Sequence, residues 1–354
     1  MRGRLSLIVL SAVSLSGCWG HVFPQQTSFP MVNAAAHANV FADANGTLYP
    51  SGWDQFMKPQ NPWKEDSLLN EAADDPAFLA RIRADGDRQL DDVAKLVAGK
   101  QRVFILVHGY NNKVEETTLP YDEIERRIAP SPSDAVIRLN WDGLWGSGAG
   151  PVKIWFNATG NSQLVGMHAL RSMLSRMADK DIYVIGHSRG ASVLLSALSD
   201  PPFDPKFKAQ TMAVASNWPA GDPGLFTPPP LAENGNRIRA LLLAPAVDRI
   251  DFCLPGQVGG CEQARSMSKQ LCSIRYTVNP EDRVLKKFVG LQGGFNPTRL
   301  GQDPATGQYL KAHGAGYLRD PAMYSSTEHG FATYVASPQF DAMLKDMLAE
   351  RTCG

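Results

Sequence analysis

The sequence predicts an α/β protein with a doubly wound, mostly parallel sheet, flanking helices and loop or cap insertions. Apolar, β-rich runs recur at residues 103–107, 135–139, 182–185 and 240–247, with a weaker fifth at 273–278. Such continuous runs suit strands buried on both faces by crossover helices. The stretches between the runs are long enough for those crossovers. In one of them, residues 162–177, Leu164, Met167, His168, Leu170, Leu174 and Met177 form one stripe at helical spacing. His168 is read as a packed or surface residue of that helix.

The N-terminus stands outside this pattern. Arg2 and Arg4 precede an apolar run over residues 5–15, which reads as an export signal. The run is too short to span a bilayer as a helix, for which about 20 residues are needed. Its ending, Leu15-Ser16-Gly17-Cys18, resembles the bacterial lipobox. That resemblance implies cleavage before Cys18, diacylglycerol on its sulfur and a membrane-anchored lipoprotein of the cell envelope. Residues 1–17 are thus expected as signal peptide. Residues 18–70, rich in Pro, Asn, Gln and Ala without a sustained period, are expected as a tether, and residues 71–354 as the domain.

Asp75-Pro76 offers a helix start. A second helix is expected over residues 87–98, with Leu90, Val93, Ala94 and Val97 on one face and Gly99 closing it. Residues 201–236 and 286–327 break the alternation of strands and helices. Both follow strand ends, where loops form the wall or cap of a crevice. Residues 338–350 carry Phe340, Met343, Leu344 and Met347 at helical spacing, a closing helix.

Charges balance at 35 against 35, which gives no footprint for nucleic acid. The cysteines lack the paired spacing of a zinc site and have no histidine close by in sequence, so neither a metal nor a cofactor is expected. The chemistry points elsewhere. In Gly186-His187-Ser188-Arg189-Gly190 a strand runs directly into a helix, and the flanking glycines let neighbouring chains pass a strained corner. The Ser188 hydroxyl is expected to stand open at that corner as a nucleophile.

A serine hydroxyl needs a base, and the base needs an acid. Only His313 and His329 follow Ser188 in the chain. His329, directly ahead of the last helix, is the expected base, whereas His313 lies in an irregular segment. Asp282 after the fifth run is the expected acid, with Asp248 after the fourth as the alternative and Glu281 as a weaker substitute. Strand 103–107 ends in His108-Gly109-Tyr110, so the N–H of Tyr110 and that of Arg189 are candidate donors to an oxyanion. His108 and His187 are read as structural.

With these residues in place, the chain resembles the α/β-hydrolase superfamily over about residues 100–350. It is most similar to an uncharacterised bacterial branch with a His-Gly-Tyr-Asn loop and an Ala-Pro-x-x-Asp strand end, here Ala244 to Asp248. The resemblance implies a serine hydrolase acting on small-molecule or lipid carboxylic esters through an acyl-enzyme. A catalytically degenerate envelope scaffold, and a lipase effector or acyltransferase, are the alternatives. The fold also predicts two disulfides. Cys253 and Cys261 bracket a Pro/Gly-rich loop, which leaves Cys272 for Cys353.

Overall fold

The computed structural model describes residues 19–25, 35–49, 76–147, 150–203, 227–231, 233–254, 261–289 and 298–353. The expected signal peptide and Cys18 lie outside the described residues.

Seven strands form one sheet: β1 (Ala36–Ala42), β2 (Arg102–Val107), β3 (Asp134–Trp141), β4 (Asp181–His187), β5 (Arg237–Leu243), β6 (Leu271–Val278) and β7 (Ala322–Met323). Their order is β7-β6-β5-β4-β2-β3-β1, with every neighbouring pair parallel. The five expected runs are β2 to β6. Residues 103–107 of β2 are wholly buried, as a central parallel strand covered on both faces must be.

One sheet face is covered by α1 (Pro76–Ala98), by α3 (Gly150–Val165) with its continuation through a π-helical turn at Gly166–Leu170 to Arg171–Ser175, and by α4 (Gly190–Leu198). The other face carries α2 (Val114–Ile128), the short helix Phe331–Val335 and α5 (Pro338–Ala349). Phe340, Met343, Leu344 and Met347 of α5 are buried, as their spacing predicts. His168 falls in the π-helical turn.

Three expectations are corrected. The tether reading fails for residues 36–42, which pair with β3 along their whole length as the edge strand β1. Trp19–Gly20 likewise pairs antiparallel with Trp145–Gly146. Residues 76–98 form one helix rather than two, because Ile82, Leu90, Val93 and Val97 keep one buried face across the polar middle. The fourth run stops being strand at Leu243, since Ala244 turns into the left-handed region at φ 45°. Of the 286–327 insertion, the described part contributes the helices Arg299–Gln302 and Pro304–Ala312 and the edge strand β7. Much of the 201–236 insertion lies outside the described residues. Cys253–Cys261 and Cys272–Cys353 are both disulfide-bonded.

Candidate active site

Strands β2 and β4 are neighbours at the centre of the sheet. The chain turns away from them in opposite directions, β3 and β1 lying on one side and β5 to β7 on the other. That reversal opens a crevice at the carboxyl ends of the strands. Ser188 stands there, one residue after β4 and two before α4, with φ 51°. A non-glycine residue held there stores about 1–2 kcal/mol.

Backbone bonds hold the corner. Ser188 N donates to Leu243 O, and the Ser188 carbonyl accepts from Ala191 N and Ala246 N. At Gly190 a Cβ would lie 2.6 Å from Val107 O and 2.8 Å from His108 O, so β2 can pass the corner only because no side chain is there. The serine is not open to solvent as expected; it is 1% exposed. The Gly109 loop lies directly against it, close enough that a Cβ on Gly109 would sit 2.7 Å from the Ser188 Cβ.

Two other strand ends supply its partners. His329 precedes the short helix Phe331–Val335 and presents Nε2 to Ser188 Oγ at 2.9 Å. Asp282 follows β6, is fully buried and lies 2.8 Å from His329 Nδ1 through Oδ2. An ionised carboxylate only accepts, so Nδ1 carries the proton and Nε2 keeps its lone pair toward the serine.

Asp282 is itself fixed. Oδ1 accepts from Val284 N and Leu285 N, and Oδ2 accepts a second bond, at 2.8 Å, from the Tyr334 hydroxyl. Asn279 Nδ2 donates to the same hydroxyl, which directs the phenolic proton to Asp282. Asn279 Oδ1 accepts from two backbone N–H groups, those of Glu281 and Ser326, which sets the orientation of the amide. Tyr334 is fully buried, and burial followed by the Asp282 charge pushes its phenol well above the ordinary range. The sequence reading found neither Tyr334 nor Asn279. An Asn directly before Pro280-Glu281-Asp282 is the only local signal, and Tyr334 carries none.

The histidines read as structural have partners that fit that reading. His187 Nε2 bonds the His329 carbonyl at 2.9 Å, and its ring lies flat on Phe331. Burial, then the neighbouring His329, holds it well below 6.5, so it donates to that carbonyl as a neutral ring. His108 donates from Nδ1 to Gly109 O and accepts at Nε2 from Trp141 N, with burial lowering it to about 4. It therefore ties the Gly109–Tyr110 turn to the end of β3. Among the described residues, neither Tyr110 N nor Arg189 N donates to another backbone or side-chain group.

The Arg189 side chain points away from the crevice. It is fully buried, bonded to Ala246 O, Ser162 Oγ and Ser192 Oγ, with Asp251 at 3.9 Å. Burial lowers its guanidinium to about 10 despite that carboxylate. Asp248 does not meet His329. It caps the helix Arg249–Phe252 through Arg249 N and Asp251, and burial raises its carboxyl. Glu281 pairs with Lys286 at the surface, and His313 ends the helix Pro304–Ala312 with Nδ1 on Tyr309 O.

The family described as "Alpha/beta hydrolase of unknown function (DUF900)" matches residues 87–316. The chain belongs to this family. The matched span holds Gly109, Ser188 and Asp282, while His329 and Tyr334 lie beyond its end. Among solved structures, the chain is similar to esterase 2 of Thermogutta terrifontis with butyrate bound, at 12% identity, covering 71% of this chain and 84% of that one with a TM-score of 0.35. It is similar also to an iodinated complex of acetyl xylan esterase, at 11% identity, 70% and 98% coverage and a TM-score of 0.34. No curated relative matches the chain.

Proposed function

We propose that this α/β hydrolase is a serine hydrolase of carboxylic esters, held in the cell envelope by a lipid on Cys18. The observation that carries the reading is the hydrogen-bonded chain Ser188–His329–Asp282, at 2.9 and 2.8 Å, assembled from the ends of separate strands. Ser188 Oγ attacks the ester carbonyl while His329 Nε2 takes its proton. Asp282 holds the resulting imidazolium. The Tyr110 and Arg189 N–H groups stabilise the oxyanion where its charge develops. The tetrahedral adduct collapses, His329 gives the proton to the leaving alcohol, and Ser188 keeps the acyl group. Water, deprotonated by His329, then releases the acid and restores the serine.

A degenerate scaffold has no need to keep His329 on Ser188, so the 2.9 Å contact between them gives that alternative no support. A serine-directed fluorophosphonate tests the reading: it labels Ser188 in the folded protein and fails on Ser188→Ala. Folded wild-type protein that takes no label rules out the proposed chemistry.

A further inference from the structure

The N-terminal strap is seated on the rim of the crevice. Trp19–Gly20 pairs with Trp145–Gly146, just past the carboxyl end of β3. His21 Nδ1 bonds Asp142 Oδ2, and Val22 N donates to Asp142 Oδ1. The Asp142–Gly146 turn packs on the loop that carries the Tyr110 N–H. Asn111 N donates to Gly143 O, and Gly146 N donates to Asn111 Oδ1. A Cβ on Gly143 would lie 3.0 Å from both Gly109 O and the Tyr110 Cα. Residue 19 is thus fixed one packing layer from the candidate oxyanion donors.

Position 18 is joined to Trp19 by a single peptide bond, and the apolar run 5–15 lies directly upstream. With acyl chains on Cys18 holding the N-terminus to a bilayer, as proposed above, the chain leaves the domain at the mouth of the site. On the strap's side of the sheet Leu119, 74% exposed, sits in the second turn of α2 beyond the Tyr110 loop, whereas the exposed Met323 belongs to β7 at the opposite edge.

We infer that the strap presses the crevice mouth against the membrane, so that the substrate is an ester of a membrane-resident lipid taken from the bilayer holding the enzyme. This rests on the hydrolase reading above. A long flexible tether would let the mouth face any direction, whereas a strap stitched to the rim gives one orientation and a high local concentration of bilayer esters.

The test compares the full-length acylated protein, reconstituted in phosphatidylcholine vesicles, with a variant carrying twenty Gly/Ser residues inserted between Cys18 and Trp19. Such a linker has a root-mean-square span of about 25 Å. The substrates are a fluorogenic phospholipid ester in the same vesicles and soluble p-nitrophenyl butyrate. The expected result is a fall of about tenfold in turnover of the phospholipid ester with unchanged kcat/KM on the soluble one. Equal phospholipid turnover by both proteins overturns the inference, as does an equal fall on both substrates. Failure of the wild-type protein to cleave either ester, with no fluorophosphonate label on Ser188, would instead remove the hydrolase reading beneath it.

Discussion

Asp282→Asn should abolish most turnover while leaving the fold intact. Asp282 Oδ1 accepts two backbone N–H bonds, and Oδ2 accepts from His329 Nδ1 and the Tyr334 hydroxyl. An amide satisfies the two backbone donors only by keeping its oxygen on that side. Its NH2 then faces the imidazole. His329 must turn Nδ1 into an acceptor and carry its proton on Nε2, so it can no longer take one from Ser188. This replacement in a Ser-His-Asp triad costs about 10⁴ in kcat, or roughly 5 kcal/mol of barrier. The control is Asp248. Asparagine caps helices about as well as aspartate, so Asp248→Asn should change little, whereas Asp248→Ala removes the bond to Arg249 N and costs about 1 kcal/mol of stability. Single-turnover acylation by p-nitrophenyl butyrate and Tm, measured on all three variants, separate the effects. Asp282→Asn within tenfold of wild-type kcat, or Asp248→Asn dead but folded, would show that the acid has been misplaced.

Gly109→Ala forces a methyl to within 2.7 Å of the Ser188 Cβ and 3.1 Å of His187 O. The Tyr110 donor must move, and kcat should fall about 10²–10³-fold; unchanged steady-state kinetics would place the oxyanion elsewhere. Tyr334→Phe should cost about 1–3 kcal/mol in denaturant unfolding and lower kcat about tenfold with KM unchanged. The Asn279→Ala,Tyr334→Phe double variant should then lose less than the sum of the singles, because the hydroxyl bonds both Asn279 and Asp282; strict additivity would deny the relay. Acid should destabilise the protein through His108. Its folded value is held near 4 while the unfolded ring titrates at 6.5, so stability present above pH 6.5 is lost as pH falls toward 4. His108→Asn should flatten that limb of the unfolding free energy plotted against pH by roughly 3 kcal/mol, and an unaltered curve would refute the assignment.

Much of the site could be read from the chain because its signals are local or eliminative. Ser188 is marked by the glycines its corner requires, and only two histidines follow it. What escaped lacks such marks. Strand β1 is an edge strand of small and polar residues, Ala-His-Ala-Asn-Val-Phe-Ala, with only Val40 and Ala42 buried, so composition resembles a tether. Gly86 in the middle of α1 costs about 1 kcal/mol against alanine, which reads as a break until the buried face on either side is seen to be continuous. Tyr334 is joined to Asp282 across 52 positions, and no spacing rule reaches that far. The burial of Ser188 escaped for a related reason. The corner geometry belongs to one segment, whereas its cover comes from the Gly109 loop, far upstream.

The corner also explains a second positive φ. Ser188 and Ala244, at φ 51° and 45°, both stand just past the carboxyl ends of the adjacent strands β4 and β5. Neither is a glycine, so each must be held there by its surroundings. Ser188 N donates to Leu243 O, Ala246 N donates to the Ser188 carbonyl, and Ala244 N donates to Thr277 Oγ1 on β6. The Arg189 guanidinium closes the assembly by binding Ala246 O from inside the protein. The strain at Ser188 is therefore maintained by the strand-end loop of its neighbour. The basic residue beside the serine serves that loop through its side chain. That role accounts for a buried arginine at a position where charge alone would suggest contact with substrate.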